Sequence, residues 1–259
     1  MADSVDWRAV QAAIWRHHRG YLKPVTHIDL VALDDLLGVA RQKQLLLANT
    51  EQFLRGEPAN NALLWGARGT GKSSLIKAVF NRFRDDGLRL IQVDKAGLTD
   101  LPELADTLTE RTERFILFCD DLSFDEGEAG LRELKSILEG SIELPPENVR
   151  VYATSNRRHL VPETMADNRA SKMVEGELHL ADAIEEKISL SDRFGLWLSF
   201  YSINQEEYLA IVEHLFSGVE CDRELLYREA IQFAQMRGVR SGRVARQFFN
   251  EAWSRLSRS

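Results

Sequence analysis

The chain has 259 residues, two cysteines and a formal net charge of -7. That length allows one large domain, or a medium domain with a small one, and 44% apolar with 28% charged residues is the balance of a folded globular chain rather than a disordered one. The acidic balance gives no global attraction to nucleic acid, and Cys119 and Cys221 are too few and too far apart for a disulfide scaffold or a zinc site. No apolar run approaches the roughly 18 residues of a membrane span. The opening MADSVDWRAV carries acids where a signal peptide carries bases, so the expected location is cytoplasmic.

In chain order, Trp7, Val10, Ile14 and His17 recur at helical spacing, and Pro24 closes that segment, so residues 1 to 33 read as a helical extension. Asp34 opens a second helical stretch with Leu45, Leu46, Ala48 and Phe53 on its apolar side, followed by the loop GEPANN. Short apolar runs then alternate with amphipathic helices: ALLW at 62, LRLIQVD at 88, FILFC at 115, VRVYATS at 149 and LWLSFY at 196. This is the signature of a parallel sheet with crossover helices, here an α/β domain of five parallel strands over residues 34 to 202. Cys119 falls inside the third run and reads as a small core residue.

Residues 157 to 190 carry the least pattern and read as a mobile loop. From 203 to 259 the pattern is wholly helical, a small all-α lid. Asn204 and Glu207 form a capping box ahead of Tyr208, Ile211, Val212 and Leu215. A second helix carries Leu225, Leu226, Ala230 and Phe233 and stops at Gly238; a third starts at Ser241 and buries Val244, Phe248, Ala252 and Leu256. Six arginines (237, 240, 243, 246, 255, 258) against Glu251 alone make this last segment basic, which most simply is a solvated helix face.

Chemistry concentrates in GARGTGKS, residues 66 to 73, which matches G-x-x-x-x-G-K-[ST] between a strand and a helix. Gly66, Gly69 and Gly71 let the backbone turn its N–H groups inward, with Ala67, Arg68, Thr70 and Ser74 completing the cradle, and the helix dipole adds attraction for phosphate oxygens. Lys72 can reach the β and γ phosphates, and the Ser73 hydroxyl can ligate Mg²⁺. Two adjacent carboxylates at the tip of an apolar strand, FILFCDD, need a cation. A triphosphate site supplies one: Asp120 is the metal-side aspartate, and Asp121 can orient the attacking water or, alternatively, cap the helix that follows.

With these motifs the chain resembles the AAA+ ATPases from about residue 34 to its end. It most resembles a bacterial family of predicted ATPases catalogued as a domain of unknown function, and the DD ending, RFG and lid also resemble the helicase-loader and replication-initiator clade. The resemblance makes GARGTGKS a Walker A and FILFCDD a Walker B, and makes Asn156 of VYATSN a sensor 1 residue that positions water. It makes Arg193 of SLSDRFG an arginine finger reaching the adjacent subunit's nucleotide, and Arg243 of RSGRVARQF a sensor 2 contact to phosphate. DLLGVARQKQLLL, 35 to 47, takes the place of the box II segment near adenine. Read as residues alone, Asn156 can merely end a strand, Arg193 can pair with a surface acid, and Arg240 competes with Arg243. Most of the family carries glutamate where this chain has Asp121, although the loader clade often has aspartate.

The implied activity is ATP hydrolysis with Mg²⁺ in a homo-oligomeric ring or partial ring that remodels a protein or nucleic-acid partner. The alternative is a slow nucleotide-controlled switch that shares every binding residue. The loop DKAGLTD lacks the aromatic residue that ring-shaped unfoldases carry, which disfavours polypeptide threading. The arginines of the last helix, with Arg157, Arg158 and His159, are the candidate nucleic-acid contacts. A small-molecule kinase shares the phosphate loop but needs neither the sensor asparagine nor the lid arginine.

Overall fold

The computed structural model describes residues 5–124, 130–140, 144–158, 160 and 190–256. Among these residues seven strands run β1 (Ala12–Arg16), β2 (Tyr21–Pro24), β3 (Ala62–Gly66), β4 (Leu88–Val93), β5 (Arg114–Cys119), β6 (Val149–Ser155) and β7 (Leu196–Phe200). They form one sheet in the order β2-β1-β4-β5-β6-β3-β7. All five strands expected from the apolar runs are present and parallel; β1 joins them parallel to β4, and β2 closes the edge antiparallel to β1.

The central strands are apolar throughout because both faces are covered. Along β5, Phe115, Leu117 and Cys119 enter one cluster while Ile116 and Phe118 enter the other. The first face is packed by α3 (Leu101–Asp106) and α4 (Leu131–Glu139), the second by α1 (Ala40–Leu54) and α2 (Lys72–Phe83). On α2 the expected stripe Leu75, Ile76, Val79, Phe80 and Phe83 is buried. Fully burying such side chains is worth about 1.5–3 kcal/mol each. On α1 the expected stripe is only partly right. Leu46 and Phe53 are buried, but Leu45 and Ala48 face solvent, and the inner face is completed by Asn49 and Thr50. Both reach the hydroxyl of Tyr152 on β6, at 3.0 and 2.8 Å. This side-chain cluster satisfies polar groups that would otherwise be costly to bury, and burial pushes the Tyr152 phenol up from its ordinary value.

The amino-terminal segment corrects the sequence reading. Residues 5 to 33 contain the β1–β2 hairpin and a single 3₁₀ turn, His17–Arg19, instead of a helical extension; residues 1–4 lie outside the described ones. Ala13 and Trp15 point to one face of the sheet and Ala12 to the other, a period of two that the spacing of Trp7, Val10 and Ile14 disguised. Pairing of Ala12–Ile14 with Leu90–Gln92 of β4 decides the outcome, because Ala12 and Ala13 by themselves favour helix over strand. Asp34 likewise opens no helix: α1 begins at Ala40.

The lid is three helices, α5 (Gln205–Leu215), α6 (Arg223–Arg237) and α7 (Gly242–Leu256), around their own apolar cluster. Asn204 and Glu207 make both bonds of the capping box, Gly238 ends α6 with φ of 69°, and Ser241 Oγ accepts from Val244 N at 3.2 Å to start α7. Most of the expected loop at 157–190, including His159 and residues 161–189, lies outside the described residues. Leu160 is buried, and its carbonyl accepts from Phe124 N. Among the described residues no helix is long and apolar enough to cross a membrane.

Candidate nucleotide-binding site

Parallel register brings the carboxyl ends of β3, β5 and β6 to the same rim of the sheet, where loops carry the site. After β3 the chain turns through residues 66–71 into α2, whose first turn has no side-chain cap and so leaves its N–H groups for a ligand. Gly66 has φ of 134°, and a Cβ there would lie 1.9 Å from the Phe200 carbonyl of β7, so no other residue fits. Gly69 meets the lid: a Cβ would sit 2.8 Å from Ser241 Oγ and 3.3 Å from Arg243 Cβ. The loop is also fastened by Ala67 N donating to Phe200 O at 3.1 Å and Thr70 Oγ1 to Ala67 O at 2.8 Å. Arg68 is exposed, and Gly71, Ser73 and Ser74 are half-buried.

Lys72 is only 7% exposed. Its ammonium donates to Gly66 O at 2.8 Å, Ala67 O at 2.7 Å and Asn156 Oδ1 at 3.2 Å, which uses its three donors. Burial lowers its pKa; Asp121 and Asp120 pull it back, and Arg243 and Arg68 lower it further, so five charged groups of the expected site feel one another.

The two aspartates are exposed at the strand tip, so the cost of burying adjacent carboxylates does not arise. Asp120 Oδ1 accepts from Ser73 Oγ at 2.6 Å and from Thr154 Oγ1 at 2.5 Å. Asp121 N donates to Thr154 Oγ1 at 2.8 Å, and Asn156 Nδ2 donates to Asp121 Oδ1. Asn156 therefore bridges Lys72 and Asp121. Asp121 has φ of 55°, the sole left-handed conformation of a non-glycine among the described residues, a sparsely populated state that clusters at functional sites. Thr154 was missed in the sequence reading. Its hydroxyl holds the carboxylate of one aspartate and the backbone of the next, and its only sequence signal is its place two residues before Asn156.

Ser73 and Asp120 present hard oxygen donors side by side, the donor set that suits Mg²⁺ together with phosphate oxygens. Lys43 donates to Leu33 O and Gln42 to Ser199 O, while Asp35 Oδ1 lies 2.9 Å from His214 Nε2 of α5. The 35–47 segment thus joins the end of β7 to the lid. Of the two competing lid arginines, Arg243 faces Gly69 and Lys72, whereas Arg240 turns back to Gln205 and Tyr208 within the lid. Arg193 is not at this rim. It precedes β7, at the end of the sheet where β3 begins, and pairs with Glu139 at the end of α4. It therefore stands apart from its own chain's phosphate loop.

Of the candidate nucleic-acid contacts, Arg237 and Arg246 cover Phe233 and Phe249, and Arg255 pairs with Glu229 at 2.8 Å. Arg157 and Arg158 are exposed, the latter stacked 5.7 Å above Trp65; His159 and Arg258 lie outside the described residues.

A mostly parallel sheet of this order, a glycine-rich loop at one rim and a helical lid over it are the α/β P-loop fold of AAA+ type. The chain belongs to the family described as "Protein of unknown function (DUF815)", which matches residues 8–256. It is 28% identical over 159 residues to a proteasome-activating nucleotidase of Methanocella arvoryzae, covering 53% of this chain and 37% of that one. It is 28% identical over 146 residues to the replication factor C large subunit of Methanococcus vannielii, covering 52% of this chain and 29% of that one. The chain thus spans well under half the length of these two relatives. Among solved structures, the FIGL-1 AAA domain in complex with ADP superposes with a TM-score of 0.52 at 20% identity, covering 87% of this chain and 74% of that one. A single-residue variant of Thermotoga maritima RuvB superposes at 0.51 and 16% identity, covering 85% and 71%. These likenesses show the fold.

Proposed function

We propose that this protein is a Mg²⁺-dependent ATPase that works as a homo-oligomer, in the cytoplasm, to remodel a macromolecular partner. The observation that carries the reading is the single hydrogen-bonded network joining Lys72, Ser73, Asp120, Thr154, Asp121 and Asn156 at the sheet rim. Residues 66–74 bind the phosphates through backbone N–H groups and Lys72, and Arg243 adds a charge from the lid. Ser73 and Asp120 would hold Mg²⁺, which when bound would offset the phosphate charge. Asp121, with its carboxylate fixed by Asn156, accepts the proton of the attacking water. Arg193, remote from its own loop, serves the neighbouring subunit's site.

Phosphate release measured against protein concentration, alongside mass measurement with ATP and Mg²⁺, tests this. Turnover should rise cooperatively with assembly. No turnover above background at any concentration sinks the enzyme reading and leaves the nucleotide-controlled switch. That second reading is favoured by one feature, the pairing of Arg193 with Glu139, which a partner surface must displace before the arginine can act. Nucleic acid is the alternative target, through Arg157 and Arg158; binding there falls steeply with salt.

A further inference from the structure

Four strand positions along the sheet from β3, which feeds the phosphate loop, the β1–β2 hairpin and α3 flank a cavity of about 440 Å³. This is within the size range of small-molecule sites, which are mostly apolar with a few placed polar groups. The walls are Trp7, Trp15, Leu22, Leu104 and Leu108. Trp15 is seated against backbone, since a Cβ on Gly97 would lie 2.8 Å from its Cδ1. Its indole N–H donates to Asp100 Oδ2 at 2.7 Å, and His17 Nδ1 lies 2.6 Å from the same oxygen. Burial raises the Asp100 carboxyl, but the hydrogen bonds from His17 and Trp15 outweigh it and hold the group below its usual range.

Of the charged groups that line this cavity, the Asp100 carboxylate is the one already engaged. Asp100 is engaged on both oxygens, the second by Thr99 Oγ1 at 3.3 Å. His17 keeps its other ring nitrogen, and the exposed Arg111 guanidinium has no carboxylate partner among the described residues. Glu103, the remaining acid, is exposed at the rim. One guanidinium and two indoles around one pocket suit a flat apolar molecule carrying a negative charge.

We propose that this cavity is a second ligand site, separate from the nucleotide site, that takes a small aromatic carboxylate, with the ring between Trp15 and Leu104 and the anion on Arg111. The test uses the full chain and two probes of one shape, 2-naphthoate and 2-naphthylmethylammonium, followed by titration calorimetry and the Trp15 indole N–H resonance. Naphthoate should bind one to one with a Kd of about 1 mM or tighter, as its size allows. The ammonium probe should bind at least about tenfold weaker, a discrimination within reach of one charged contact. Arg111→Ala should weaken naphthoate binding, and Thr107→Phe, on the exposed rim, should abolish it; both variants should keep wild-type melting temperature and wild-type affinity for a fluorescent ATP analogue. No saturable binding, equal binding of the two probes, or binding untouched by both variants would overturn the proposal.

Discussion

The phosphate-loop rim of this sheet and its hairpin edge use polar side chains in opposite ways. At the rim, Asp120, Asp121, Lys72 and Asn156 hold one another through contacts that a phosphate and a metal can replace, and both carboxylates are open to solvent. At the hairpin edge, Asp100 is engaged by Trp15, His17 and Thr99, and the contact fastens β1 to the segment before α3. Similar residue types therefore serve exchange at the rim and cohesion at the hairpin edge. Substitutions at the rim should alter rate more than stability, and substitutions at the hairpin should do the reverse.

The largest effect should come from Arg193→Ala, which should lower multiple-turnover phosphate release by about 10³-fold or more while leaving ATP affinity nearly intact. Equal activity in the variant would break the assignment of Arg193 to the neighbouring site. Thr154→Val keeps the shape but removes the hydroxyl that fixes both aspartates. We expect kcat to fall by about 10- to 100-fold with little change in KM for ATP, since one positioned hydrogen bond is worth about 1.5–3 kcal/mol when a charge is involved. A change confined to KM would assign Thr154 to binding instead.

Asp100→Asn tests the hairpin edge. Losing one acceptor for Trp15 or His17 should destabilise the fold by about 1–3 kcal/mol in urea unfolding and leave the ATPase rate unchanged. Because the folded-state carboxyl is lowered, its contribution is present above the unfolded value of about 3.9 and is lost as pH falls through the folded one. The gap between wild type and variant should accordingly close below about pH 4; a gap that persists there would show that packing, not charge, is responsible. The smallest effect should be Asn204→Ala, which removes the capping box of α5 and costs about 1 kcal/mol, read as a shift in thermal midpoint with catalysis intact.

Much of this was legible in the chain. The glycine-rich loop 66–73, the five central strands, the capping box and the paired aspartates are local patterns: contiguous residues at fixed spacing. What stayed hidden depended on distant partners. The alanine-rich stretch at 12–16 became a strand only because β4 offered a free edge. Asn49 and Thr50 entered the core only because Tyr152 met them there, and the choice between Arg243 and Arg240 rested on how α7 docks over Gly69. Thr154 looked like one more strand residue until β5 and β6 came side by side and set its hydroxyl between Asp120 and Asp121. The sequence by itself determined the glycine-rich loop between strand and helix and the alternation of strand and helix, because these are written in neighbouring residues. Tertiary structure alone decided the hairpin edge, its cavity and the second partners of the site, because hydrogen bonds and burial between segments 33 to 179 residues apart leave no periodic trace in the chain.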